Sequence, residues 1–167
     1  MNKFEVIIPV INVDLMLNLL ESISTNTLLP QRVIIINNSN LCIDELFSRM
    51  SKRITYNFCS KISVYYSKTG LVNESLNLGV TKLSEECDYV SILNDDIVLT
   101  NHFFQRNLEV FQNEICGIAC PRTVHSMSEL NRGKVKKIIM NRREGWAFSI
   151  RKDLLDKIPP FPADRIA

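Results

Sequence analysis

The segment Asp88-Tyr89-Val90-Ser91-Ile92-Leu93-Asn94-Asp95-Asp96-Ile97-Val98-Leu99-Thr100 decides how this chain is read. Tyr89 to Asn94 are mostly apolar and β-prone, which predicts a buried strand. The strand runs straight into two adjacent carboxylates, Asp95 and Asp96. A buried strand has no use for neighbouring negative charges, because an unpaired carboxylate is costly to take out of water. The carboxyl end of an α/β strand does have a use for them, since ligands of open α/β sheets bind there. A hard divalent cation shared with substrate phosphates fits, because Mg²⁺ is commonly held by about one or two protein carboxylates. The competing reading is a polar turn followed by the N-cap of the next helix. This stretch alone does not separate the two.

Working outward, 167 residues are enough for one domain with a proper core. A hydrophobic content of 46% and a charged content of 23% are ordinary for a globular protein. The formal charge of +2 indicates neither nucleic acid nor a membrane surface as partner. The five cysteines are an odd number with no Cys-x-x-Cys pair, so neither a disulfide framework nor a zinc site is signalled. Free thiols point to a reducing compartment. Glu5 and Pro9 interrupt the first apolar run, which excludes a signal peptide there, and no run reaches the length of a membrane span. A cytoplasmic protein is the expectation.

The order of elements predicts an α/β fold. Phe4 to Val10 reads as a first buried strand that Pro9 stops. Asp14 is a candidate cap for a helix with Leu15, Leu19, Leu20 and Ile23 at helical spacing. Arg32 to Ile36 is a second, continuous β-branched strand that ends in Asn37-Asn38-Ser39-Asn40. Such a strand–helix–strand unit with uninterrupted apolar strands implies a parallel sheet covered on both faces. Ile43 to Met50 carries a short helical pattern, and Ile54-Thr55-Tyr56 and Ile62 to Tyr66 read as short β segments. A helix is predicted over Val72 to Leu83, where Gly79 costs roughly 1 kcal/mol against alanine and so marks a close packing contact. An amphipathic helix follows from Asn101 to about Asn113, with Phe103, Phe104, Leu108 and Phe111 inward. Ile115 to Pro121 and Gly145 to Ile150 are further strand candidates, with a short helix near Lys152 to Lys157. At least four strands in one domain are expected.

Four of these pieces, in order, resemble the nucleotide-sugar-binding half of family 2 glycosyltransferases with the GT-A fold. Val6 to Asn12 is similar to the family's opening strand, which ends in Pro-x-Tyr-Asn. Ile34-Ile35-Ile36-Asn37-Asn38-Ser39 looks like its second strand. Gly70, Asn77 and Gly79, then Tyr89 to Asp96, look like the family's helix leading into the strand that carries an Asp-x-Asp motif. Gly145 to Leu155 resembles its later Gly-x-x-x-x-x-Arg-Arg segment. The resemblance implies a Rossmann-like GT-A sandwich over residues 1–167, mostly parallel with helices on both faces, and a short or truncated member on the acceptor side.

The function so implied is transfer of a sugar from a nucleoside-diphosphate sugar to an acceptor that the sequence does not identify. It would be inverting and dependent on Mn²⁺ or Mg²⁺. A cation on the departing diphosphate stabilises the charge that develops as the glycosidic bond breaks. Asp96 matches the last Asp of the motif and becomes the metal ligand. Asp95 sits centrally, with reach to ribose or sugar, and Asn94 stands where the first Asp commonly is. The nucleotide site implied comprises Pro9, Val10, Ile11, Asn37, Asn77, Asn94 and Asp95. Asn37 replaces an Asp that reads the base, and its carbonyl oxygen can still accept from a base N–H. Ile11 replaces an aromatic residue. Asp164, the one carboxylate in the tail from Pro160 to Ile166, is the candidate general base. Gly145 and Trp146 are the candidate acceptor contacts, Trp146 by stacking on a sugar.

Several features have plainer readings. Arg132, Lys134, Lys136, Lys137, Arg142 and Arg143 form a basic stretch that reads as a solvated face before it reads as a phosphate site. His102 and His125 lack metal-ligand spacing. Trp146 is equally a core residue, and the cysteines read as core filler. Two rival functions stand beside the transferase. One is an inactive fragment or binding module that keeps the fold. The other is a nucleotidyltransferase, which would show a Gly-rich basic loop after the first strand, whereas Pro9 to Asp14 has neither glycine nor lysine.

Overall fold

The computed structural model describes residues 3–113, 116–121 and 147–162. Its organising strand is β1 (Phe4–Val10), in which every residue is buried. β1 lies between two parallel neighbours, β2 (Arg32–Asn37) and β4 (Tyr89–Leu93). β3 (Ile62–Tyr66) pairs in parallel with β2, and β6 (Ala147–Arg151) runs antiparallel to β4. The short β5 (Ile118–Ala119) pairs antiparallel with β6, giving the order β3-β2-β1-β4-β6-β5. The expected mostly parallel sheet is present, with six strands among the described residues.

The uninterrupted apolar strands follow from helices on both faces. Phe4, Val6, Ile8, Val10, Val33 and Ile35 pack with α1 (Val13–Ser24), α2 (Ile43–Ser51), α3 (Tyr56–Cys59) and α5 (Phe103–Asn113). Alternate residues Ile7, Ile34, Ile36, Val90 and Ile92 pack on the other face with α4 (Val72–Val80) and α6 (Lys152–Leu155). Phe103, Phe104, Leu108 and Phe111 of α5 are all buried, as their spacing predicts.

Several boundaries differ from the sequence reading. Pro9 does not stop β1. Its partner is Ile36 of β2, and the β4 ladder has already ended at Ile7–Ile92, so Pro9 sits where only one neighbouring strand flanks it. The cap of α1 is Asn12 rather than Asp14: its side chain accepts from the N–H groups of Asp14 (3.0 Å) and Leu15 (3.2 Å). Leu15, expected inward, is exposed. Ile54-Thr55-Tyr56 is no strand. The Thr55 carbonyl accepts from Phe58 and Cys59 and closes the single turn α3, which leaves Tyr56 in solvent. The helix expected to reach Leu83 ends at Val80, where Lys82 N–H bonds back to the Gly79 carbonyl and tightens the chain into a turn. Of the strand expected over Ile115 to Pro121, ladder pairing among the described residues 116–121 covers Ile118 and Ala119.

Two polar features lie inside this apolar frame. Glu5, which broke the first apolar run, is buried and ion-paired to Arg32 of β2 at 2.9 Å, directly across the ladder. It also accepts from Ser84 N–H at 3.2 Å, and Arg32 donates to the Lys82 carbonyl. On the opposite face, Ser91 of β4 and Ser149 of β6 share a hydrogen bond of 2.7 Å, and Asn107 of α5 donates to Ser149 at 3.0 Å. All three are buried, so this trio fixes how β4, β6 and α5 meet.

The cysteines correct their reading as core filler. Of the five, none forms a disulfide; Cys87 is buried, whereas Cys42 and Cys120 are exposed. Burial, reinforced by the Glu5 charge, pushes the Cys87 thiol up to about 11. Its thiolate is therefore disfavoured in the folded chain, and its contribution to stability is lost as pH rises from the unfolded value near 9 towards 11. In thiol labelling at pH 8, Cys42 reacts promptly and Cys87 reacts only on unfolding. The close contact expected at Gly79 is present: a Cβ there would lie 2.6 Å from Cγ2 of Ile7, a branch fixed at the Cβ of a central strand. Gly79→Ala gains helix propensity but overpacks by roughly 1–3 kcal/mol, so the net effect is destabilising. A thermal melt should show a Tm lower by several degrees.

Candidate functional site

Strands β1 to β4 all point the same way, so their carboxyl ends form one edge. β1 connects to β2 on one side and the chain later returns to β4 on the other, which makes the gap between β1 and β4 the topological switch point. Asn94, Asp95 and Asp96 follow β4 at that point, in a turn. Asn94 and Asp95 are half-buried and Asp96 is exposed.

Asp95 is the residue the structure explains most fully. Its Oδ2 accepts from the backbone N–H of Ile11 and of Asn12, each at 2.7 Å. The end of β4 is thereby tied to the end of β1 beyond the last rung of their ladder. Asp96 has no hydrogen-bond or ion-pair partner among the described residues. Asp96 and Asn94 offer the hard oxygen donors that Mg²⁺ or Mn²⁺ prefers. Among the described residues no group of three or more His, Cys, Asp or Glu side chains is placed to hold a metal. The donor set fits a cation that completes its shell on substrate phosphate and water.

The other predicted nucleotide residues are placed less openly. Pro9 and Val10 are buried, and Val10 offers its carbonyl to Asn38 N–H at 2.8 Å. Ile11 is 61% exposed at the end of β1. Asn37 is buried and shapes its own loop: its Oδ1 accepts from Ser39 N–H (2.9 Å) and Ser39 Oγ (2.7 Å), and its Nδ2 donates to Leu41 (3.1 Å). Asn77 faces the exit of the chain. It accepts from Phe161 N–H and donates to the Phe161 carbonyl, both at 2.8 Å, while Asn73 one turn earlier donates to the Pro162 carbonyl at 2.7 Å. The poor helix propensity of Asn77 thus has a tethering cause.

Asp164, Gly145, Trp146, His125 and the basic stretch 132–143 lie outside the described residues. β6 nevertheless enters the sheet at this edge, with Ala147 opposite Leu93. Sequence reasoning missed Asn12 and the pair formed by Ser75 and Asn38, in which the fully buried Ser75 of α4 donates to the Asn38 amide at 3.0 Å. An Asn just before a helical period was the available signal for Asn12. No local pattern marks the contact between Ser75 and Asn38.

The sheet order gives an α/β fold of the GT-A-like kind, which the likeness to solved structures bears out. The chain is similar to the mannosyltransferase PcManGT from Pyrobaculum calidifontis in complex with GDP-Man and Mn²⁺ (TM-score 0.74, 15% identity), covering 97% of this chain and 48% of that one. It is similar to S. aureus TarS 1–349 (TM-score 0.63, 15% identity), covering 92% and 48%. A 4-diphosphocytidyl-2C-methyl-D-erythritol synthase from Anaerococcus prevotii is also similar (TM-score 0.59, 10% identity), covering 92% and 73%. The chain spans about half the length of PcManGT and of TarS 1–349. No protein-family model matches the sequence, and no curated protein matches it.

The tether at Asn77 generates a test. Asn77→Ala removes two hydrogen bonds to the backbone of one residue, Phe161, at a cost of roughly 1–2 kcal/mol. Hydrogen exchange at the Phe161 amide should speed up while that of the β1 amides stays protected at the level the lower global stability sets.

Proposed function

We propose that this chain is the donor-binding part of a glycosyltransferase that takes a nucleoside-diphosphate sugar with Mn²⁺ or Mg²⁺. The observation that carries this reading is Asp96, an exposed carboxylate without a partner among the described residues, at the switch point of a GT-A-like sheet. Support for a nucleotide sugar as donor comes from the neighbours in complex with GDP-Man and with UDP-GlcNAc, and support for a cation from the Mn²⁺ in the first of these.

Asp96, with Asn94 beside it, would hold the cation, which when bound neutralises charge on the diphosphate leaving group. The exposed Ile11 surface and the loop that Asn37 shapes would cover the nucleoside end. In the inverting reaction we propose, the acceptor hydroxyl attacks the anomeric carbon while a carboxylate takes its proton, and Asp164 is the base assigned. Gly145 and Trp146 are the residues proposed to meet the acceptor. A cytoplasmic setting suits the exposed thiol of Cys42. Among the described residues no helix is long and apolar enough to cross a membrane. Likeness to the synthase raises nucleotidyl transfer as a second reading, yet the loop after β1 holds neither glycine nor lysine, and Asp95 already occupies two of its N–H groups.

Calorimetric titration of the full chain with UDP, GDP and TDP, with and without Mn²⁺, tests the proposal. One nucleotide should bind in a metal-dependent manner, and Asp96→Ala should weaken that binding at least about tenfold, equivalent to ~1.4 kcal/mol. Absence of nucleotide binding under every metal condition overturns the proposal in favour of an inactive module that keeps the fold.

A further inference from the structure

We infer that Asp95 is a brace that plugs the amino end of α1 and positions Asp96, rather than a group that itself meets cation or substrate. The argument is an accounting of backbone donors. A helix begins with N–H groups that lack intrahelical partners, and such an end draws phosphate and other anions. At α1 those donors are largely taken. Ile11 and Asn12 donate to Oδ2 of Asp95 at 2.7 Å each. Asp14 and Leu15 donate to the side chain of Asn12, and Met16 makes the first intrahelical bond to the Asn12 carbonyl at 3.0 Å. The chain's own carboxylate thus sits where a phosphate would otherwise be drawn.

The same two bonds cross the switch point. The ladder between β1 and β4 ends at Ile7–Ile92, and Val10 is paired only with β2. Asp95 is the polar link that holds the β4 turn against the β1 end past that point. Hydrogen bonds from N–H groups to an ionised carboxylate are short and roughly twice as strong as neutral ones. With Asp95 drawn inward, the neighbouring Asp96 is left exposed. The two adjacent carboxylates are therefore divided: one faces the backbone, rather than the ribose or sugar that the sequence reading gave it, and one faces solvent. It follows that a diphosphate finds no free N–H cradle at Ile11 and Asn12 and depends on the cation at Asp96. That last step rests on the glycosyltransferase reading, whereas the brace itself does not.

Asp95→Asn, Asp95→Ala and Asp96→Asn in the full chain separate these roles. Without any nucleotide, Asp95→Ala should lower Tm by on the order of 5 °C or more, from loss of two charge-assisted bonds in a chain of this size. Asp95→Asn keeps an acceptor oxygen and should recover a large part of that fall, and Asp96→Asn should leave Tm at or above wild type. In Mn²⁺-dependent nucleotide titration, Asp95→Asn should stay within a few-fold of wild type while Asp96→Asn loses binding. An Asp95→Ala melt equal to wild type overturns the brace. So does an Asp95→Asn variant that melts like wild type yet loses Mn²⁺-dependent binding as fully as Asp96→Asn, because Asp95 would then be a ligand. If wild type binds no nucleotide, the glycosyltransferase reading falls, and the melts alone still decide the brace.

Discussion

A strand paired along both edges and covered on both faces has nowhere to place a charge except at its ends. β1 is such a strand, flanked by β2 and β4 and sandwiched between two helical layers. This constraint governs the rest of the molecule. Desolvating an ionised group is costly unless it is paired, so charge is expelled to the rims of the sheet. Any chemistry must then collect there, on loops held by a rigid frame.

The two rims are not equivalent. At the amino end, several charges are paired among themselves. Glu5 meets Arg32 and the Ser84 N–H, Asp88 accepts from Lys3 N–H at 2.8 Å, and the Lys3 ammonium pairs with Glu86. Those contacts close the rim on itself. At the carboxyl end Asp95 is likewise satisfied, by two backbone donors, while Asp96 beside it stays open to solvent. A rim that pairs its charges internally serves stability. A rim that leaves one carboxylate outside, at the switch point, retains capacity for a ligand. That contrast is why Asp96 is the residue on which the proposed ligand is tested, and the neighbours in complex with GDP-Man and UDP-GlcNAc suggest the class of ligand to try.

The fold was legible because its signals are local and repeated. Continuous β-branched runs such as Val33 to Ile36 specify a strand buried on both faces, and the i, i+1, i+5, i+8 spacing from Phe103 to Phe111 specifies one face of α5. Gly79 was legible too, since a glycine inside a helix needs a reason and Ile7 provides it. The residue types of the site were visible in Asn94-Asp95-Asp96, but the division of labour was not. Whether a carboxylate faces solvent or backbone depends on where a strand some eighty residues earlier ends. Asn77 shows the same limit: it looks like an open amide in the sequence, yet it is engaged by the backbone of Phe161, which only the folded chain brings near. Asn37 differs, since its partners Ser39 and Leu41 lie close by in the sequence.

The buried trio Ser91, Ser149 and Asn107 extends this argument to the placement of β6. β4 and β6 are antiparallel, and a slip of one residue would turn every side chain of β6 to the opposite face. In a purely apolar face that slip is opposed only by packing. The hydroxyl pair set opposite one another across the ladder, with the Asn107 amide donating from α5, leaves buried polar groups without partners in any other register. Ala147 is therefore held opposite Leu93, at the residue before Asn94. The entry of β6 is thus pinned to the same edge as the open carboxylate and not to the rim at the other end.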